Sequence, residues 1–154
     1  MVVVIGVLAI QGAVEEHMNC VKKLGCIGKE IREPHELEGI DGLILPGGES
    51  TAMSIVGESN GLFVTLKEYV KSNKPIWGTC AGMILLSDHA IKKAKCGQSL
   101  VGGLDVHVCR NYFGSQINSC VKPISMAKGV MSDEEAFSAV FIRAPAIIKV
   151  FHFY

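Results

Sequence analysis

With 154 residues the chain is long enough for one domain around a single sizeable core. Its 15 Lys and Arg balance 15 Asp and Glu, and the zero net charge excludes attachment to nucleic acid or anionic lipid by bulk electrostatics. Hydrophobic residues at 49% and charged residues at 19% exclude a disordered chain. The longest apolar stretch, Met1 to Ile10, is too short to cross a bilayer and lacks the basic start of a signal peptide. Cysteines at 20, 26, 80, 96, 109 and 120 form no C-x-x-C pair, so no structural zinc site is expected. Nothing points to secretion, and free thiols in the cytoplasm are the expectation.

The β-branched run Val2 to Ile5, bounded by Gly6 and continued by Val7 to Ile10, predicts a first strand covered on both faces. Val14, Met18, Val21 and Leu24 then recur at helical spacing, and Gly25 suits the residue after a helix C-terminus. Ile27 to Ile31 is a weaker strand candidate. Pro34 and the acidic stretch Glu36 to Asp41 read as a loop with one helical turn. Gly42 to Leu45 is a short buried strand stopped by Pro46-Gly47-Gly48, after which Ser50 or Thr51 is placed to cap a helix. A further helix fits Leu62, Phe63, Leu66, Tyr69 and Val70, and Ser72 to Pro75 ends it. Ile76-Trp77-Gly78 is a third core strand, and Met83 to Ser87 opens another helix. This alternation predicts an open, mostly parallel α/β sheet with helices on both faces. Beyond residue 100, Leu104, Val106 and Val108 alternate with polar residues as a half-exposed strand, with Ile117 to Ile124 its expected partner. Ala139 to Ile142 and Ile147 to Phe151 complete the strand candidates. The whole chain, 1–154, reads as a single domain.

The sharpest chemical signal is Gly78-Thr79-Cys80-Ala81-Gly82 between a strand and a helix. This is the nucleophile-elbow pattern with cysteine in place of serine. The tight turn strains the backbone at the nucleophile, flanking glycines relieve crowding, and the helix N-terminus favours a thiolate. Pro46-Gly47-Gly48-Glu49-Ser50-Thr51 is the second signal. Its glycines let backbone approach a ligand and aim N–H groups at an oxyanion. In an open α/β sheet both loops lie beyond strand C-terminal ends, where ligand crevices form. Gln11 follows strand one without the G-x-G-x-x-G spacing of a dinucleotide site. Arg110-Asn111 and Arg143 follow strand candidates and suit a substrate carboxylate, although a solvated surface charge is the simpler reading of each alone. His17, His35, His89 and His107 have no motif around them and read as surface or capping residues.

Taken in order, Gly6 to Ala13, Leu45 to Thr51, Gly78 to Met83, Arg110-Asn111 with Phe113 to Gln116, and Phe141 to Pro145 resemble the glutaminase subunits of pyridoxal 5'-phosphate synthase. These subunits form a family of class I glutamine amidotransferases with a flavodoxin-like, three-layer fold. The resemblance implies that Cys80 attacks the carboxamide of L-glutamine, giving a glutamyl thioester and ammonia, and that water then releases L-glutamate. It further implies that Gly47, Gly48, Glu49 and Ser50 form the oxyanion and glutamine loop. Arg110, Ile142 and Arg143 match other glutamine-binding positions, and Gln11 lies near the edge that meets the synthase. The partner implied is the synthase subunit, which receives ammonia through a tunnel for vitamin B6 synthesis. No metal, bound cofactor, nucleic acid or membrane is implied.

The chain also departs from that family. The family's triad is completed in a Phe-His-Pro-Glu segment well beyond Ile142 to Pro145, whereas here nine residues follow Pro145, ending Phe151-His152-Phe153-Tyr154. His152 follows a Phe, but no Pro-Glu comes after it, so a terminal histidine is the preferred reading over a base. The expectation is that the C-terminal part of the domain is missing. Cys120 stands where the family carries Phe, at an expected core position. Two other readings stay open: an impaired form that only docks on and modulates the synthase, and a different elbow hydrolase or thiol-based stress protein.

Overall fold

The computed structural model describes residues 2–91, 98–124 and 137–151. Four parallel strands, β1 (Val4–Leu8), β2 (Ile27–Ile31), β3 (Gly42–Leu45) and β4 (Ile76–Gly78), form a sheet in the order β2-β1-β3-β4. The order reverses beside β1, so the connections run outward in both directions and set helices on opposite faces. On one face lies α1 (Val14–Lys23). Gly28 of β2 admits the Met18 side chain, which a Cβ there would approach to 2.9 Å. Leu24 ends α1, and Gly25 follows at φ +74, the left-handed conformation that glycine adopts without cost.

The other face carries the main core. Leu8, Ile31, Leu43 and Leu45 from the strands meet Met53, Leu62, Leu66 and Leu85 from α2 (Ser50–Ser59), α3 (Leu62–Lys71) and α4 (Ala81–Leu86). All of these strand and helix residues are at most 2% exposed, and each contributes on the order of 1.5–3 kcal/mol by leaving water. A second cluster, Ile84 with Val106 and Val108, ties α4 to the strands that follow. The short helix α4 is thus clamped between two cores.

Helix α4 passes without a loop into β5 (Ser87–Ile91), and the buried Ser87 hydroxyl donates to Ile84 O at 2.7 Å. A second sheet has the order β5-β6-β9, with β6 (Leu104–Cys109) parallel to β5 and antiparallel to β9 (Ala146–Val150). β7 (Cys120–Ile124) pairs antiparallel with β8 (Phe137–Phe141). The expected pairing of Ile117 to Ile124 with the Leu104 strand is therefore corrected: β6 pairs with β5 and β9, and Ile117 sits in a 3-10 turn. Alternating polarity marks a half-exposed strand but not its neighbour. Cys120 is exposed, which corrects its expected core position.

Candidate active site

β4 enters α4 through Cys80, and the chain is strained there. Cys80 has φ 49 and ψ −103, a conformation that costs a non-glycine residue on the order of 1–3 kcal/mol. The surroundings hold it in place. Thr79 N donates to Leu45 O at 3.1 Å, Gly82 N to Thr79 O at 2.8 Å, and Ile84 N to Cys80 O at 3.2 Å. A Cβ on Gly78 would lie 2.5 Å from the Gly82 carbonyl carbon, and one on Gly82 would overlap the Leu45 carbonyl. Both glycines are needed for helix and strand to approach this closely, and the Cys80 side chain is left exposed.

The loop after β3 faces Cys80. A Cβ on Gly47 would stand 3.3 Å from that of Cys80, and one on Gly48 would overlap the Gln11 side-chain oxygen. Ala13 N donates to Gly47 O at 2.9 Å, and Gln11 Oε1 accepts from Glu49 N at 2.7 Å. The turns after β1 and β3 are interlocked by these bonds. The Glu49 N–H, one of the loop donors expected at the oxyanion, is directed to Gln11 instead. Glu49 caps α2, its carboxylate accepting from Thr51 N at 3.2 Å and Ala52 N at 2.8 Å. This corrects the expected cap at Ser50 or Thr51: Ser50 is already the first helical residue and is buried. Burial raises the Glu49 pKa, but the Ala52 and Thr51 N–H groups, the Thr51 hydroxyl and the Arg110 charge outweigh it and leave the carboxyl below its ordinary range.

Arg110 comes from the end of β6. Its Nη1 donates to Gln98 Oε1 at 2.6 Å, and its Nη2 donates to Thr51 Oγ1 at 3.1 Å and Glu49 Oε1 at 3.4 Å. Ile142 and Arg143 lie between β8 and β9, both exposed, with Arg143 at φ 45. These parts enclose a cavity of about 350 Å³ lined by Gln11, Gly48, Glu49, Ser50, Cys80, Arg110, Ile142 and Arg143, with Ile84, Asn111 and Pro145 filling its wall. Every expected site residue lines it except Gly47, which packs beside the Cys80 side chain.

Three residues escaped the sequence reading. Gln98 has no motif around it. Thr51 belongs to the Gly-rich segment, but the sequence suggests it only as a cap, a role that falls to Glu49. His17 is half-buried: its Nε2 shares a hydrogen bond with Thr79 Oγ1 at 3.4 Å, and its ring meets Trp77 edge-on at 5.8 Å. Burial lowers the His17 pKa, with Glu16 acting in the opposite sense. His35 is exposed, and the rings of His89 and His107 meet edge to face with centroids 4.4 Å apart on the second sheet, away from the cavity lining. His152 lies outside the described residues. Among the described residues no group of three His, Cys, Asp or Glu converges as a metal site, and no helix is long and apolar enough to cross a membrane.

A thiol on a strained elbow thus shares a small cavity with two guanidinium groups and a carboxylate, an arrangement suited to a zwitterionic substrate with a reactive carbonyl. A solved glutamine amidotransferase matches 96% of this chain and 75% of its own, at 35% identity and a TM-score of 0.83. PurLQS from Thermotoga maritima shares the fold, with a TM-score of 0.67 at 14% identity. The "Probable pyridoxal 5'-phosphate synthase subunit PDX2" of Arabidopsis thaliana is 48% identical over 95% of the chain, which spans 58% of that relative's length. The "Pyridoxal 5'-phosphate synthase subunit PdxT" of Streptomyces avermitilis is 43% identical over 96% of the chain, covering 71% of that relative. The model of the SNO glutamine amidotransferase family matches residues 7–153, the span that holds both loops and both arginines, and the chain belongs to that family.

Proposed function

We propose that this chain is the glutaminase component of a pyridoxal 5'-phosphate synthase, taking L-glutamine and passing ammonia to a synthase subunit. The observation that carries the reading is Cys80 at positive φ on the β4–α4 elbow, facing a cavity with Arg110, Arg143 and Glu49. Sequence relatives named as synthase subunits support the partner. The free thiols among the described cysteines support a cytoplasmic setting.

In this reading the arginines take the α-carboxylate of glutamine and Glu49, whose carboxyl is held below its ordinary range, takes the α-ammonium. That double contact fixes the carboxamide over Cys80 before reaction, which is how a cavity lowers the entropy cost of attack. The Cys80 sulfur forms a bond to the carboxamide carbon, the oxygen takes negative charge, and backbone N–H groups of the Gly47–Gly48 turn stabilise it. Collapse of that intermediate breaks the C–N bond. The departing nitrogen takes the proton given up by the Cys80 thiol and leaves as ammonia, and water cleaves the remaining thioester to glutamate and restores the thiol.

The test is alkylation of Cys80 by a chloroketone analogue of glutamine, read by intact mass and peptide mapping, beside glutamate release with and without a synthase subunit. Stoichiometric labelling at Cys80, with protection by free glutamine, is expected. Labelling that glutamine leaves unaffected would overturn the reading.

A further inference from the structure

We propose that Gln98 is a positioning residue that holds Arg110 in its substrate-binding pose, an inference that rests on the glutamine-site reading above. Three hydrogen bonds converge on this one amide. Gln98 Oε1 accepts from Arg110 Nη1 at 2.6 Å and from the Ser50 hydroxyl at 3.3 Å, while Nε2 donates to Ser50 O at 3.0 Å. The orientation of the amide follows from chemistry. A guanidinium only donates and a peptide carbonyl only accepts, so the oxygen must face Arg110 and the nitrogen must face Ser50.

The amide stands on a fixed support. The next residue, Ser99, donates its N–H to Ser54 Oγ at 3.0 Å and accepts from the same hydroxyl through its carbonyl at 3.1 Å. The Ser99 hydroxyl donates to Glu58. Val101 N and Gly102 N both donate to Leu85 O, at 2.8 and 3.1 Å. The segment is bound to α2 on one side and to the end of α4 on the other, so Gln98 Oε1 has little freedom to leave Arg110.

The consequence for Arg110 is geometric. A long arginine at the end of the half-buried strand β6 loses rotamer freedom when it binds a ligand, at an entropic cost. Gln98 and Thr51 meet that cost beforehand by ordering the side chain. The bonds to Gln98, Thr51 and Glu49 engage Nη1 and Nη2, and among the described residues Nε–H has no partner. That N–H, and the second one on Nη1, remain for single hydrogen bonds to a carboxylate. Because Gln98 is neutral, it orders the guanidinium without competing for its charge.

The experiment measures alkylation of Cys80 in the chain mixed with excess synthase subunit. One reagent is the chloroketone analogue of glutamine, and the other is iodoacetamide, which carries no α-carboxylate. Gln98→Ala is expected to raise the half-saturating chloroketone concentration about tenfold, with its saturating rate and the iodoacetamide rate unchanged. Gln98→Glu is expected to weaken it further, since an added carboxylate competes with that of the reagent. In an Arg110→Ala background Gln98→Ala is expected to add nothing, as required of a residue that acts through Arg110. Parent-like chloroketone binding by Gln98→Ala, additive losses in the double variant, or equal slowing with both reagents would each overturn the proposal. A parent that reacts with iodoacetamide but not with the chloroketone overturns the glutamine-site reading itself, an outcome distinct from failure at Gln98 alone.

Discussion

Cys80 and Arg110 face the same cavity from supports of different kinds. Cys80 stands where β4 meets α4, and its backbone is dictated by atoms it cannot displace: the Leu45 carbonyl, the Gly78–Gly82 contact and the two cores either side of α4. Arg110 stands at the end of β6, and residues 111–123 beyond it are exposed. Its pose depends on side-chain hydrogen bonds to Gln98, Thr51 and Glu49. The nucleophile is placed by packing and the cation by polar contacts. Changes to the packing that supports the first should be felt in folding as well as chemistry, and changes to the contacts that hold the second in binding alone.

The largest expected effect is at the nucleophile. Cys80→Ser should abolish chloroketone labelling at the elbow while the thermal unfolding curve stays close to the parent's, because serine fills the same space. Residual labelling mapped to residue 80 would contradict the assignment. Next comes Arg110→Ala, expected to weaken chloroketone binding by on the order of 10²-fold, since a charge-assisted carboxylate pair is worth about 2–3 kcal/mol. Its iodoacetamide rate should match the parent's, as the elbow does not rest on Arg110. Equal slowing with both reagents would erase the distinction between the two supports.

Stability separates the regions in the same way. Leu45 is fully buried and Val121 is 61% exposed. Leu45→Ala should cost about 3 kcal/mol in urea unfolding, and Val121→Ala should stay within about 0.5 kcal/mol. A comparable loss at Val121 would mean that β7 is buried by a surface this structure does not contain.

The same contrast explains what the sequence made legible. β1 and β3 are legible because strands buried in the middle of a parallel sheet are continuous apolar runs, whereas β2, with Gly-Lys-Glu at its centre on the sheet edge, gives only a weak signal, and the elbow glycines are legible because the turn admits no side chain. Helix α2 was not delimited because its buried stripe is Ser50, Met53, Ser54 and Gly57, which carries almost no hydrophobic period. Gly57 is required there because the Phe63 ring occupies the space of its Cβ. β5, with the sequence Ser-Asp-His-Ala-Ile, is too polar to register as a strand, and without it β6 was given the wrong neighbour. Every residue expected at the site from the family resemblance lines the cavity except Gly47, which packs beside Cys80. Gln98 was silent because an amide that orients an arginine needs only position, and position is set by α2 and α4, far away in sequence.

The smallest expected effect concerns Glu49, which serves both regions by capping α2 and contacting Arg110. Its carboxyl sits below the ordinary range in the folded chain, against about 4.3 in an unfolded one. A depressed folded-state pKa means that the unfolded chain binds more protons as pH falls. The stabilisation is therefore complete above the unfolded value and is lost as pH drops through the folded one. The Glu49 side chain is 52% exposed, so solvent screening limits the contribution to about 0.5 kcal/mol. Glu49→Gln keeps one acceptor for the cap and removes the titration. Its urea midpoint should lie slightly below the parent's at pH 6 and converge with it as the pH falls through the folded-state value of the Glu49 carboxyl. A gap that instead widens in acid would show that the Glu49 carboxyl is held above its ordinary range, with burial outweighing the cap and Arg110.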